Sequence, residues 1–366
     1  MVELKYRLSF NTPAFLGNAE QQAQWRTPPI KALIRQWWRV VKARSVHYDT
    51  TRLLEAENLL FGAAGEDKQK WGQSKIRLRL AHWVRGEMRE WPDLGIKAHH
   101  REVQGGRDIG ADLYLGFGPL EFSREHRRTA LAKLKQGDGF RTAIPDGSQA
   151  KGEQTLSLRL PREHQDEVCT ALSLAVWFGA LGSRSRNGWG SFDLSATHQE
   201  AELPTLSASA LRDVSRPMPE CLRLDWAHAI GQREDGAPAV WLTSNRPHWR
   251  EAMRDLAELK IAFRTHLSLE GKSDGMFATR HLLGYPVTNH SVREWSGNLR
   301  LGGQIRFKVH RGPAGYRGSI VHLPCRLPAN LLDRLRPQDQ KQVIDQQFDV
   351  WRSVHRVIDS KAERLA

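Results

Sequence analysis

Apolar and polar residues alternate from the start of the chain. In ELKYRLSF (3–10) every second position is apolar, which predicts a strand with one buried face. TPAFLG follows, with Pro13 and Gly17 as breakers. The period then changes. Ile30, Leu33, Ile34, Trp37, Val40 and Val41 recur at helical spacing, and Thr27 followed by two prolines suits a helix start with Thr27 as N-cap. SKIRLRLAHWV (74–84) alternates again, with Ile76, Leu78 and Leu80 inward, as does TLSLRLP (155–161). HQDEVCTALSLAVWFGALG (164–182) predicts a helix stopped by Gly182, and SFDLSAT (191–197) a further strand. Residues 85–112 read as irregular, DLYLGFGPLEF (112–122) as a buried strand or a packed turn, and 135–153 as a polar, Gly-rich loop.

A polar, proline-containing stretch, 200–219, separates this half from a second one. CLRLDWAHAI (221–230) predicts its first strand and HWREAMRDLAELKIAFRTHL (248–267) a helix. Residues 298–324 predict two antiparallel strands around a Gly-Pro-Ala-Gly turn, and 338–360 a long amphipathic helix in which Val343, Val350 and Val357 recur, as do Ile344, Trp351 and Ile358. The first half approaches the β-α-β-β-α-β order of a ferredoxin-like fold and the second half fits it more loosely. The expected class is α+β: two tandem ferredoxin-like (RRM-like) domains with long loop insertions. An N-terminal domain would span 1–200, a linker 201–219 and a C-terminal domain 220–366.

Charge sharpens this picture. The 366 residues carry 55 Lys and Arg against 41 Asp and Glu, a net charge of +14, which favours a polyanionic partner, nucleic acid being the commonest. No apolar run is long enough to span a bilayer, and MVELKYRLSF lacks the order of a signal peptide, so the expected location is cytoplasmic, with no membrane partner. Cys169, Cys221 and Cys325 stand far apart and read as buried thiols rather than a disulfide framework or a zinc cluster. No metal site and no cofactor are expected.

Two features carry candidate chemistry. On the first helix Lys31, Arg35, Arg39 and Lys42 form a basic stripe beside Trp38, with no acid among them. The loop GALGSRSRNGWGSF (179–192) has no Walker lysine and lies between a helix and a strand, the reverse of a P-loop. It suits a phosphate backbone gripped along its length: glycine amides that approach phosphates, forked donors on Arg184 and Arg186, and the flat face of Trp189 for a base. It equally suits a tight helix-to-strand turn with solvated arginines. In a ferredoxin-like fold the two helices share one side of the sheet, so stripe and loop are expected to converge in one groove.

Together TPAFLG, RTPPIKALIRQWWRVVKAR, NLLFGAAGE, YLGFGPL and GALGSRSRNGWGSF resemble the RAMP superfamily of CRISPR-associated proteins, and within it the large double-domain RAMP subunit of the Cmr (type III-B) effector complex. The resemblance is dense over residues 10–192. It continues more weakly through RHLLGYP, QIRFKVH and YRGSIVHLP, while NLRLGG departs from the family's pattern. It implies a subunit without cofactor that binds CRISPR RNA and target RNA among other RAMP subunits of a type III effector in antiviral defence. Carried onto this chain, Lys31, Arg35, Trp38, Arg39, Arg184, Arg186 and Asn187 would line the RNA path. Asn187 stands where the family often has a second arginine. The competing expectation is a RAMP endoribonuclease, with His99, His100, Asp108 or Asp112 supplying a base or a carboxylate. A protein-binding basic scaffold is a third.

Overall fold

In the computed structural model, residues 1–63, 72–103, 105–147, 153–269 and 274–365 are described. Ala64–Glu66 of the L-F-G segment and 148–152 of the polar loop therefore lie outside the described residues. The first half holds β1 (Val2–Phe10), α1 (Thr27–Ala43), α2 (Thr50–Phe61), β2 (Arg77–Leu80), β3 (Lys97–His100), β4 (Arg107–Gly110), α3 (Ala111–Gly116), β5 (Leu120–Ser123), β6 (Arg128–Leu131), β7 (Gln154–Leu160), α4 (Gln165–Phe178) and β8 (Phe192–Ala196). Then come α5 (Ala208–Asp213), β9 (Ser215–Pro217), α6 (Met218–Cys221), β10 (Ile230–Gln232), β11 (Val240–Leu242), α7 (Trp249–His266), β12 (Ile305–Gly312), β13 (Gly315–His322), α8 (Ala329–Leu332), α9 (Pro337–Asp359) and β14 (Glu363–Arg364). The class is α+β, with several small sheets beside two larger ones.

The first large sheet runs β2-β7-β1-β8, every neighbour antiparallel. Val2, Leu4, Tyr6, Leu8 and Phe10 of β1 turn inward onto α1 and α4, and Glu3, Lys5, Arg7 and Ser9 turn outward. The second large sheet runs β12-β13-β11-β14, also antiparallel. Taken in chain order within each half, both sheets place their strands second, third, first, fourth. One face of the second sheet, with Phe307, Val309, Ile320 and Trp241, packs on α7 and α9. The other face meets the first half, with Val240 and Val321 joining the core under the first sheet. The chain thus stacks in four layers: first sheet, α1 with α4, second sheet, α7 with α9. This explains why ALSLAVWF in α4 is apolar nearly all round: it is covered from both sides.

Several expectations are corrected. Arg26, not Thr27, caps α1, without a side-chain bond. α4 ends at Phe178 with Gly179 as C-cap, while Gly182 serves the next turn. The segment 85–112, expected to be irregular, carries the β3–β4 hairpin, and 112–122, expected as a strand or packed turn, runs through α3 into β5, which pairs with β6. Both pack with the core of the second half although they precede residue 200. Residues 221–230 do not form a strand, because α6 ends at Cys221 and only Ile230 begins β10; the first strand of the second sheet is β11. The stretch 200–219 contains α5 and β9, the latter paired in parallel with β10. Ile344 faces solvent, unlike Trp351 and Ile358. Among the described residues no helix is long and apolar enough to cross a membrane.

Candidate nucleic-acid interface

The TPAFLG segment leaves β1 and is held on both sides by backbone pairing. Ala14 and Ile144 exchange amide hydrogen bonds of 2.8 and 2.9 Å, the Ser183 amide donates to the Phe15 carbonyl, and the Gly190 amide donates to that of Pro13. This lacing draws the Gly-rich loop, the start of α1 and residues 141–142 around an open pocket of about 290 Å³. Phe15, Leu16, Gly17, Asn18, Pro29, Thr142, Gly182 and Ser183 line it, together with Arg26 and Arg141. The Nε atoms of both arginines are buried, and among the described residues neither has a hydrogen-bond partner. Both side chains line the open pocket and give it two cations, while the Nε atoms themselves are shielded from solvent. Arg26 and Arg141 were not legible as a pair, because 115 positions separate them in sequence.

The glycines of the loop serve the protein itself. Gly190 has φ +69°, and a Cβ there would lie 1.9 Å from the Leu181 carbonyl oxygen; Gly182 has φ +98°, and a Cβ there would lie 2.6 Å from the Phe15 carbonyl oxygen. Trp189 is fully buried, edge-on to Phe15, Trp91 and Trp249 at 5.3–5.9 Å between ring centroids. Its face is therefore closed to a base, which corrects the stacking expectation. Arg184 is exposed, with φ +59°, and its Nε donates to the Phe117 carbonyl at 2.6 Å. Arg186 donates to the Gly303 carbonyl at 3.2 Å and its own carbonyl accepts from the Phe307 amide. Asn187 donates to the Leu115 carbonyl and accepts from the Lys260 ammonium. The loop past Ser183 is thus a seam joining the first half to α3 and the residue after it, and to β12.

The basic stripe is balanced by acids from other elements. Arg35 and Arg39 both pair with Glu57 of α2, whose side chain is only 2% exposed. Burial alone would raise the Glu57 carboxyl, but the hydrogen bonds and charges of Arg39 and Arg35 together outweigh it and hold it below the usual carboxylate range. Glu167 of α4 accepts from Lys42 at 2.6 Å and from the Trp38 indole at 3.1 Å. Trp38 is buried against Phe61, so it too is closed to a base. Lys31 donates to the Phe61 carbonyl, and burial followed by the charge of Arg35 lowers its ammonium. Hydrogen bonds do not join the stripe to Arg184 or Arg186 among the described residues. Helix and loop converge at the pocket, through Arg26–Pro29 and Gly182–Ser183.

The residues considered for nuclease chemistry separate. Asp112 is buried and accepts from the Trp91 indole, the Thr129 hydroxyl and the Leu113 amide, a structural role; burial raises its carboxyl despite those bonds. His99 and Asp108 face each other across the β3–β4 hairpin, 3.2 Å apart and exposed. His100 packs edge-on to Tyr114. Among the described residues no three His, Cys, Asp or Glu side chains gather as a metal set.

No curated protein sequence matches the chain. The crystal structure of Cmr1 from Pyrococcus furiosus in apo form is 13% identical, over 95% of this chain and 97% of that one, with a TM-score of 0.47. The cryo-EM structure of the Type III-B Cmr-beta bound to cognate target RNA contains a chain 12% identical over 88% and 94%, TM-score 0.45. A third, of the same complex with AMPPnP and ssDNA present, is 10% identical over 98% of each chain, TM-score 0.44. The sequence model of the RAMP superfamily matches residues 7–193, half of the chain and the whole of the TPAFLG, α1 and Gly-rich-loop assembly, and the protein belongs to that superfamily.

Proposed function

We propose that the protein is a non-catalytic RNA-binding subunit of a type III CRISPR effector, holding guide and target RNA beside other RAMP subunits. It would be built on two tandem ferredoxin-like domains, 1–200 and 220–366, joined through 201–219. Support for that architecture is the same β-α-β-β-α-β order and the same strand order in both halves. The observation that carries the RNA reading is the open pocket lined by two arginines, Arg26 and Arg141, inside the stretch that the family matches. Phosphates are the anions that a guanidinium fork pairs with best. The path then continues toward Ser183 and the exposed Arg184, with Arg186 and Asn187 holding the loop in place. Lys31, Arg35, Arg39 and Lys42, four cations against the two carboxylates Glu57 and Glu167, contribute at its margin.

Fluorescence anisotropy of a labelled 12-nucleotide RNA tests this reading. Arg26→Ala with Arg141→Ala should weaken binding about tenfold per arginine lost, as for a charged hydrogen bond of about 1.5 kcal/mol. The slope of log K against log salt should become shallower. Unchanged affinity would refute the pocket. The endoribonuclease reading keeps one observation in its favour, the exposed His99–Asp108 pair. RNA cleavage by the wild type that is lost in His99→Ala would establish it in place of the non-catalytic one.

A further inference from the structure

The outer face of the first sheet gathers a second set of cations. Because α1 and α4 lie between the two sheets, only this face of the first sheet is turned away from them. The register sets Arg77 beside Arg159 and that beside Glu3; in the next row it sets Arg79, Ser157 and Lys5; then Thr155 and Arg7. Alternate residues stand about 7 Å apart along a strand and neighbouring strands about 5 Å apart. Arg77, Arg79, Arg159, Lys5 and Arg7 thus form a flat cationic lattice across three strands, all of them exposed. The acids on this side are Glu3, 3.6 Å from Lys5, Glu153, 3.7 Å from Arg7, and Asp193, which accepts from Asn11. Both ion pairs are solvent-exposed and worth little. Among the described residues Arg77, Arg79 and Arg159 make no ion pair.

Folding does not require this arrangement. Arg77 lies directly opposite Arg159, and like charges opposed across a ladder are destabilising. Cations on β2 alone would serve as guards on an edge strand. Arg159, Lys5 and Arg7 sit on β7 and β1, the two inner strands, where no edge needs guarding. A protein partner would call for an apolar or aromatic centre to the patch, and lysine is depleted in such interfaces; none of the outward residues of these strands is apolar or aromatic. The missing aromatics also remove base stacking. We infer that this face binds the sugar-phosphate backbone of a nucleic acid strand without reading its bases, separately from the pocket beside the Gly-rich loop.

The test is a triple variant, Arg77→Gln, Arg79→Gln and Arg159→Gln, in the full chain, titrated with labelled homopolymeric RNA of 12 and 40 nucleotides. Three lost phosphate contacts should make the salt slope shallower by about 2 and weaken binding of the 40-mer at least about tenfold at 0.1 M salt. The corresponding triple lysine variant should bind like wild type, and an unchanged melting temperature in both would exclude a folding defect. A Gln variant that binds RNA with wild-type affinity and slope overturns the inference. So does one that keeps RNA but loses an acidic poly-glutamate peptide, which would make the face a protein dock. Loss of binding in the Arg26/Arg141 variant alone would leave the pocket standing and remove this surface; loss in the sheet variant alone would do the reverse.

Discussion

Replacing Lys308 with methionine should flatten the response of stability to pH. Lys308 lies on β12 and points away from α7 into the first half, fully buried. Its ammonium donates to the carbonyls of Phe192 at 2.7 Å and Ala175 at 3.3 Å and sits over the Phe192 ring. Burial pushes its pKa from 10.5 down to about 7, with only the charge of Asp193 working upward. The unfolded chain therefore binds this proton more tightly than the folded one between pH 7 and 10.5, and stability rises with pH across that window. Above 10.5 the lysine is neutral in both states and imposes no penalty; as pH falls to about 7 the full penalty accrues, about 5 kcal/mol for the whole shift. From pH 7 to 9.5 the wild type should gain about 3 kcal/mol that Lys308→Met does not. At neutral pH the variant removes the buried charge and leaves the Phe192 carbonyl without its donor, at about 1–3 kcal/mol, while the Ala175 carbonyl keeps the Gly179 amide, so the variant should be the more stable there. Urea denaturation of both proteins at pH 7, 8.25 and 9.5 reads the difference. Lys260, also lowered to about 7, titrates in the same window and cancels in the comparison. Parallel stability curves for the two proteins would refute the assignment of Lys308 as a buried, proton-releasing strut between the halves.

Gly190→Ala should destabilise the chain by at least about 2 kcal/mol, since both its φ and the Leu181 carbonyl forbid a Cβ; thermal melting checks it. Glu57→Gln should cost about 1–2 kcal/mol, less than a fully buried pair because both guanidiniums are partly exposed. The wild type should also lose stability in acid, as pH falls below the ordinary Glu value of 4.5 through the depressed pKa of Glu57; the glutamine variant should lack that contribution in pH-dependent denaturation. Trp189→Ala should cost about 3–5 kcal/mol by opening a core cavity, whereas Trp189→Phe should bind RNA like wild type; selective loss of RNA affinity in the phenylalanine variant would restore the stacking role.

What the sequence made legible was local. β1 and β7 alternate, and α1, α4, α7 and α9 hold a helical period over several turns, so each could be placed within a few residues. The hairpin of β12 and β13 carried its own turn, closing with Gly312 opposite Gly315. β11 and β14 have three and two residues, and their place is fixed by pairing with β13 and with each other, which no short window contains. The site divided the same way. The basic stripe was visible, but its acids were not: Glu57 lies on a helix set by its Asp49 cap, and Glu167 on a helix 125 residues beyond Lys42. A tryptophan between two glycines reads as an exposed platform until Phe15, Trp91 and Trp249 arrive from three distant segments to bury it.

The layering decides where a long anion can lie. Each half repeats one strand order, so each sheet has one face covered by its own helices and one that those helices leave free. In the second half the free face is taken by the first: Lys308 reaches the Ala175 and Phe192 carbonyls, His310 stacks near Trp177, and Ser319 donates to the Trp177 carbonyl. Reading that sheet as an RNA platform would require these buried polar contacts to open, against the desolvation already met by Lys308, Arg306 and His310. Exposed cations also stand singly on the second half, as at Arg300, Arg311 and Lys341, but the register-set lattice of them is on the outer face of the first sheet. On the proposed reading a strand seated on that lattice would meet the first half, while the second half ties down the Gly-rich loop through Asn187 and Arg186.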